Sequence, residues 1–102
     1  MVNKMRTLLV DDMRSADVTK TCRNFRTACT SAFQEKYDVL YLDHDLGEEK
    51  TGYDFIKYCI SLDITFKNVI VVSSNPVGRD NIGFALKSAG YRQVTPIKFE
   101  LI

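Results

Sequence analysis

Three short apolar runs punctuate this chain, Thr7 to Val10, Val39 to Leu42 and Val69 to Val72, and each stops abruptly at oxygen-bearing side chains. The runs are rich in Val, Ile and Leu and do not alternate, which predicts strands buried on both faces of a parallel sheet. Between them the period changes. Thr51-Gly52-Tyr53-Asp54 reads as a capping box, and Tyr53, Ile56, Cys59 and Ile60 then recur at helical spacing, so a helix is expected from about Gly52 to Leu62. Ile82, Ala85, Leu86 and Ala89 make a second helical face, closed by Gly90, where a left-handed C-terminal cap is easiest.

Two segments fit less simply. Val18, Cys22, Phe25, Cys29, Ala32 and Phe33 can form one long helical stripe. The same residues also allow a short strand at Thr21 to Phe25, followed by a helix capped by Thr27 and reaching about Lys36. Near the C-terminus Ile97, Phe99 and Leu101 alternate with Lys98 and Glu100, so Val94 to Ile102 reads as the last strand, with Pro96 confined to a sheet edge or a strand start.

A chain of 102 residues, 45% hydrophobic and 26% charged, is expected to fold as one domain around one core, spanning 1–102. Its formal charge of +1 comes from 14 basic and 13 acidic residues without a Lys/Arg stripe. That balance leaves room for a nucleotide-sized anion and argues against a duplex nucleic acid partner. Cys22, Cys29 and Cys59 match neither a zinc site nor a disulfide framework and read as reduced, buried hydrophobes. The first apolar run ends too soon for a signal or membrane segment, so a cytoplasmic protein with no membrane partner is expected.

Strands separated by helices predict an open α/β sheet with right-handed crossovers, whose ligands sit outside the carboxyl ends of the strands. Those ends carry the polar clusters: Asp11-Asp12, Asp43-His44-Asp45 and Ser73-Ser74-Asn75. Asp11, Asp12 and Asp43 are hard oxygen ligands suited to Mg²⁺ or Mn²⁺. Packed together without a cation they would repel one another. Asp45 either joins them or ends the strand. His44 carries a side chain type that can move a proton beside a phosphate, or stabilise a turn. Ser73, Ser74 and Asn75 can donate to phosphate oxygens, and Pro76-Val77-Gly78-Arg79 leads into a helix whose free N–H groups attract anions. Arg79 offers a two-pronged contact, or lies in a Pro-Gly turn with Asp80 or Asn81 as the helix cap. Lys98 can reach the same place from the last strand, or remain a surface lysine.

With these residues placed, the chain resembles the receiver domains of two-component response regulators. Asp11-Asp12 matches the acidic pair after the first strand, Asp43 the phosphoacceptor, Ser73 the Ser/Thr after the fourth strand and Lys98 the lysine after the fifth. The fold this implies is a flavodoxin-like open parallel sheet in strand order 2-1-3-4-5. The segment between Asp12 and Asp43 is too short for the usual two helices and a strand, and no terminal helix follows Ile102, so the first and last helices are expected to be missing. The chain is more similar to a compact relative, the cyclic-phosphate-processing receiver domains of bacteria and their phages. Its signatures stand here as Asp11-Asp12-Met13-Arg14, Leu42-Asp43-His44-Asp45-Leu46-Gly47, Thr51-Gly52-Tyr53-Asp54 and Asn75-Pro76-Val77-Gly78-Arg79-Asp80-Asn81-Ile82. This resemblance favours the split reading of the ambiguous segment and adds Arg14 to the ligand-contacting set.

The resemblance implies handling of a cyclic nucleotide or a terminal cyclic phosphate. In that reading Asp11, Asp12 and Asp43 hold Mg²⁺, Asp43 and His44 are catalytic, and Arg14, Asp45, Ser73, Ser74, Asn75, Arg79 and Lys98 contact the ligand. The family often carries a second histidine before the serine of its fourth strand end, where this chain has Val72, so binding without turnover is a variant of the same reading. One alternative is a stand-alone receiver phosphorylated on Asp43. The other is a non-catalytic module that sequesters a nucleotide or docks on a protein partner.

Overall fold

The computed structural model describes residues 5–102. In chain order it contains β1 (Thr7–Val10), β2 (Lys20–Cys22), α1 (Phe25–Gln34), β3 (Val39–Leu42), α2 (Gly52–Ser61), β4 (Asn68–Val71), α3 (Pro76–Ser88), β5 (Tyr91–Gln93) and β6 (Lys98–Leu101). The sheet has six strands in the order β2-β1-β3-β4-β6-β5. β2, β1, β3 and β4 are parallel, whereas β6 runs antiparallel to both β4 and β5.

Leu8, Val10, Cys22, Leu40, Leu42, Val69, Val71 and Phe99 face one side of the sheet and pack with Ala28, Cys29 and Ala32 of α1, Phe55, Ile56 and Cys59 of α2, and Ile82 and Leu86 of α3. All three helices therefore share one face. The opposite face carries Leu9, Val39, Tyr41, Ile70 and Lys98, and no helix among the described residues contributes to it. This is the receiver-like arrangement without first and last helices. On the helix-free face Leu9 and Val39 are still buried, but Tyr41 and Ile70 are only half buried, whereas their neighbours on the helical side are fully enclosed.

Local chemistry fixes the helix starts. The Thr51 hydroxyl accepts from Asp54 N–H and the Asp54 carboxylate accepts from Thr51 N–H, so the expected capping box is present in both directions. α1 is capped by Asn24 rather than Thr27: in extended backbone, the Asn24 Oδ1 accepts from Thr27 N–H at 2.9 Å. The preceding strand accordingly ends at Cys22, and Phe25 belongs to the helix. α3 begins at Pro76, earlier than a cap at Asp80 or Asn81 would allow. Asn75 Oδ1 accepts from Gly78 N–H at 3.1 Å, and Pro76 at the first helical position loses no bond.

The C-terminal segment differs from a single parallel strand. After Gly90, at φ 98°, the chain forms edge strand β5, turns through residues 94–97 and returns as β6 between β5 and β4. The turn is closed by Val94 N–H donating to Lys98 O at 2.8 Å, and by Lys98 N–H donating to Thr95 Oγ1 at 3.0 Å. Pro96 sits in this turn, where its missing N–H costs nothing. The return strand occupies the position next to β4 that strand order 2-1-3-4-5 assigns to the last strand, but in the opposite direction.

Candidate functional site

The register of the central strands builds the site. Val10, Leu42 and Val71 lie on one rung. Asp11, Asp43 and Val72 follow immediately, and the ladder runs one step further through them: Asp11 N–H donates to Cys22 O, Asp43 N–H to Val10 O, and Val72 N–H to Leu42 O. The same step that ends the strands therefore brings two carboxylates together at the carboxyl edge. Ligand oxygens of Asp11, Asp12 and Asp43 all lie within 4.8 Å of one another.

This cluster holds its own cation. Arg14 Nη1 donates to Asp11 Oδ2 at 2.9 Å and to Asp43 Oδ2 at 3.2 Å. The remaining oxygens are committed to backbone: Asp11 Oδ1 accepts from Met13 and Arg14 N–H, both at 2.9 Å, and Asp43 Oδ1 accepts from Asp45 N–H at 3.3 Å. Complete burial pushes the Asp11 carboxyl up, but the hydrogen bonds from the Arg14 backbone and side chain and from Met13 outweigh it and hold it below the usual carboxylate range. Asp11 is thus kept ionised in the interior, as a cation ligand must be. An all-oxygen set of three carboxylates, already satisfied in part by a guanidinium, fits a hard divalent ion such as Mg²⁺ or Mn²⁺.

His44 is placed by the helices. Gly52 N–H donates to His44 O at 2.8 Å, and a Cβ on Gly52 would stand 2.1 Å from Asp43 O, so α2 abuts the Asp43-His44 backbone directly. The imidazole lies against Gly78 in the first turn of α3. Its Nδ1 is 3.3 Å from Asp45 Oδ1, and Asp45 Oδ2 accepts from Asn75 Nδ2 at 3.5 Å. The Nδ1 edge of the ring is turned to a carboxylate, and Nε2 makes no hydrogen bond among the described residues. Asp45 thus links His44 to the α3 cap. The buried Ser73 Oγ accepts from Asn75 N–H at 3.1 Å and braces the same turn.

The structure assembles Asp11, Asp12, Arg14 and Asp43 into one cluster, and His44, Asp45, Ser73 and Asn75 into an adjoining network. Ser74 is exposed beside it. Arg79 points elsewhere: it lines a cavity of about 350 Å³ with Gly83, Gln93, Pro96 and Phe99, between α3 and the β5–β6 hairpin. Lys98, at the start of β6 opposite Ile70, stands near the carboxyl edge on the helix-free face and makes no ion pair among the described residues. The α3 N-terminus is a poorer anion site than its sequence suggests. Pro76 has no N–H, and Asn75 already takes those of Gly78 and Arg79 through its side chain and carbonyl.

The sequence places Gly78 in a motif without showing its contact with His44, and it gives no sign of Arg23. The glycine is required by the approach of His44, a long-range contact whose one local trace is a glycine three residues past an Asn-Pro start. Arg23 Nη1 donates to the carbonyls of Arg14 and Asp11, the latter at 3.3 Å, and ties down the loop that carries the acidic pair.

An open α/β sheet with acidic residues past its first and third strands and a buried serine past its fourth is the layout of a receiver-like domain. The model of the cyclic-phosphate processing receiver domain matches residues 6–88, and the chain belongs to that family. No curated protein matches the chain. No helix among the described residues is long and apolar enough to cross a membrane.

Proposed function

We propose that this receiver-like protein binds a cyclic phosphate, in a cyclic nucleotide or at a nucleic-acid terminus, together with Mg²⁺, and opens the ring by hydrolysis. The carrying observation is the convergence of Asp11, Asp12 and Asp43 within 4.8 Å, with His44 next along the chain from Asp43, in a family associated with cyclic-phosphate processing. Asp11, Asp12 and Asp43 would hold the ion. Bound there, it would offset phosphoryl charge and favour ionisation of an attacking water.

The chain's own residues supply the rest. Opening the ring joins a water oxygen to phosphorus, breaks one ring P–O bond and requires a proton at the departing oxygen. His44 Nε2 has the chemistry to move that proton, with Asp45 fixing the ring through Nδ1. Arg14 and the Ser73 and Ser74 hydroxyls would bind phosphate oxygens. Asn75 serves chiefly as the α3 cap that holds Asp45 and Gly78 in place.

Incubation of the purified protein and Mg²⁺ with a panel of cyclic mono-, di- and oligonucleotides tests this reading. Ring-opened product from at least one member is expected, and its loss in His44→Ala is the accompanying control. Binding without product would limit the function to sequestration, consistent with Val72 where the family often has a second histidine. A gain of one phosphoryl group on Asp43 after incubation with acetyl phosphate, with no cyclic ligand bound, would instead favour a phosphorylated receiver.

A further inference from the structure

Arg14 occupies the oxygens that a metal would need. Asp11 and Asp43 come from different strands, and their side chains are 0% and 11% exposed, so each has little water to offset its charge. Each gives one oxygen to backbone N–H groups and turns the other to the same nitrogen, Arg14 Nη1. The pair left for an incoming cation is therefore the pair the guanidinium now bridges. Three carboxylates against one guanidinium still leave the cluster anionic, so a divalent ion is attracted to it.

The mounting of Arg14 suits an exchange. Its side chain is 46% exposed and projects from the segment between β1 and β2, which contains neither helix nor strand. The backbone beneath is pinned separately: Asp11 Oδ1 holds the Met13 and Arg14 N–H groups, and Arg23 holds the Arg14 and Asp11 carbonyls. The guanidinium can leave while the loop keeps its shape.

We propose that Arg14 is an internal counter-cation that a divalent ion displaces, and that the freed guanidinium then takes the anionic ligand. The inference rests on the reading of Asp11, Asp12 and Asp43 as metal ligands. It makes binding ordered, metal before phosphate, because the Arg14 charge that offsets Asp11 and Asp43 through Nη1 is released for phosphate once an ion takes its place. It also explains how two buried carboxylates are tolerated before the ion arrives.

Mn²⁺ binding by electron paramagnetic resonance tests this in wild type, Arg14→Ala and Arg14→Lys, each first shown to be folded by circular dichroism. Removing the competitor should tighten Mn²⁺ binding about tenfold in Arg14→Ala, the scale of one partly buried ion pair. Arg14→Lys, which keeps a cation, should stay nearer wild type. Inorganic phosphate should bind wild type only when Mn²⁺ is present, and should bind Mn²⁺-loaded Arg14→Ala more weakly. Equal or weaker Mn²⁺ affinity in Arg14→Ala, with wild type binding normally, overturns the exchange alone. Failure of every form to bind Mn²⁺ removes the metal reading and the exchange together.

Discussion

The imidazole of His44 fills the space where Gly78 would carry a side chain: a Cβ there would lie 2.3 Å from His44 Cγ and 2.6 Å from Nδ1. The first turn of α3 is thus a wall for the histidine that follows the β3 aspartate. Strand end and helix start are coupled through a contact that only glycine permits.

Gly78→Ala tests that contact. In a free helix the change would stabilise by up to ~1 kcal/mol. Here it should destabilise by ~1–3 kcal/mol, because the methyl group must displace the ring. In the double variant with His44→Ala part of that loss should disappear, the ring contacts going while the His44 Cβ, 2.7 Å from the added methyl, stays. Urea unfolding of the four forms gives the cycle, and additive effects would show that ring and helix are not in contact.

Thr51 and Asp54 set the entry to α2. The Asp54 carboxyl is held below its ordinary value of 3.8, first by the Thr51 N–H, against some desolvation, with the Thr51 hydroxyl, Lys57 and Lys50 assisting. A folded value below the unfolded one means that the ionised form stabilises the fold. The contribution is present above about pH 4 and is lost as pH falls through the folded value. Thr51→Ala should cost ~1 kcal/mol at neutral pH. Asp54→Asn should flatten the acid side of the stability profile, measured as urea midpoint against pH, and an unchanged slope would contradict the role.

The cysteines should be inert in the native protein. Burial pushes the Cys29 thiol up to about 11, against a small opposing effect of Lys50, and burial raises Cys22 and Cys59 as well. A thiol reagent at neutral pH should react slowly with the folded chain and label all three cysteines once it unfolds. Because the unfolded thiols ionise first, stability should decline as pH rises above about 9. Rapid labelling of native protein would contradict this.

Asp43→Asn keeps the strand end and removes one carboxylate from the cluster. It should weaken Mn²⁺ binding by more than about tenfold, at least the loss seen when a ligand's supporting partners are removed. The metal-free fold should remain, as measured by circular dichroism alongside calorimetry.

Much of the fold was legible because short runs of β-branched residues and leucines declare buried strands, and polar residues mark where they stop. Asp11 and Asp43 could be placed together on that basis, since parallel strands in register share an edge. The Thr51–Asp54 box and the apolar face of Ile82 and Leu86 were equally plain. The helix starts at Asn24 and Asn75 were displaced in the reading because several capping residues stand within a few positions and only the backbone chooses among them. The β5–β6 return was hidden because the alternation of Ile97, Phe99 and Leu101 suits either strand direction. The bridge from Arg14 to Asp11 and Asp43 depends on the path of a loop without periodicity, and that path alone reveals that the cluster carries its own cation.

The central claim, metal-dependent handling of a cyclic phosphate, is tested most directly by phosphorus NMR of 2′,3′- and 3′,5′-cyclic nucleotides mixed with the protein. With Mg²⁺ present, the ring phosphorus of at least one ligand should broaden or shift and then give way to a monoester resonance, and Asp43→Asn should abolish both changes. An unaltered spectrum for every ligand, with and without Mg²⁺, would contradict the account.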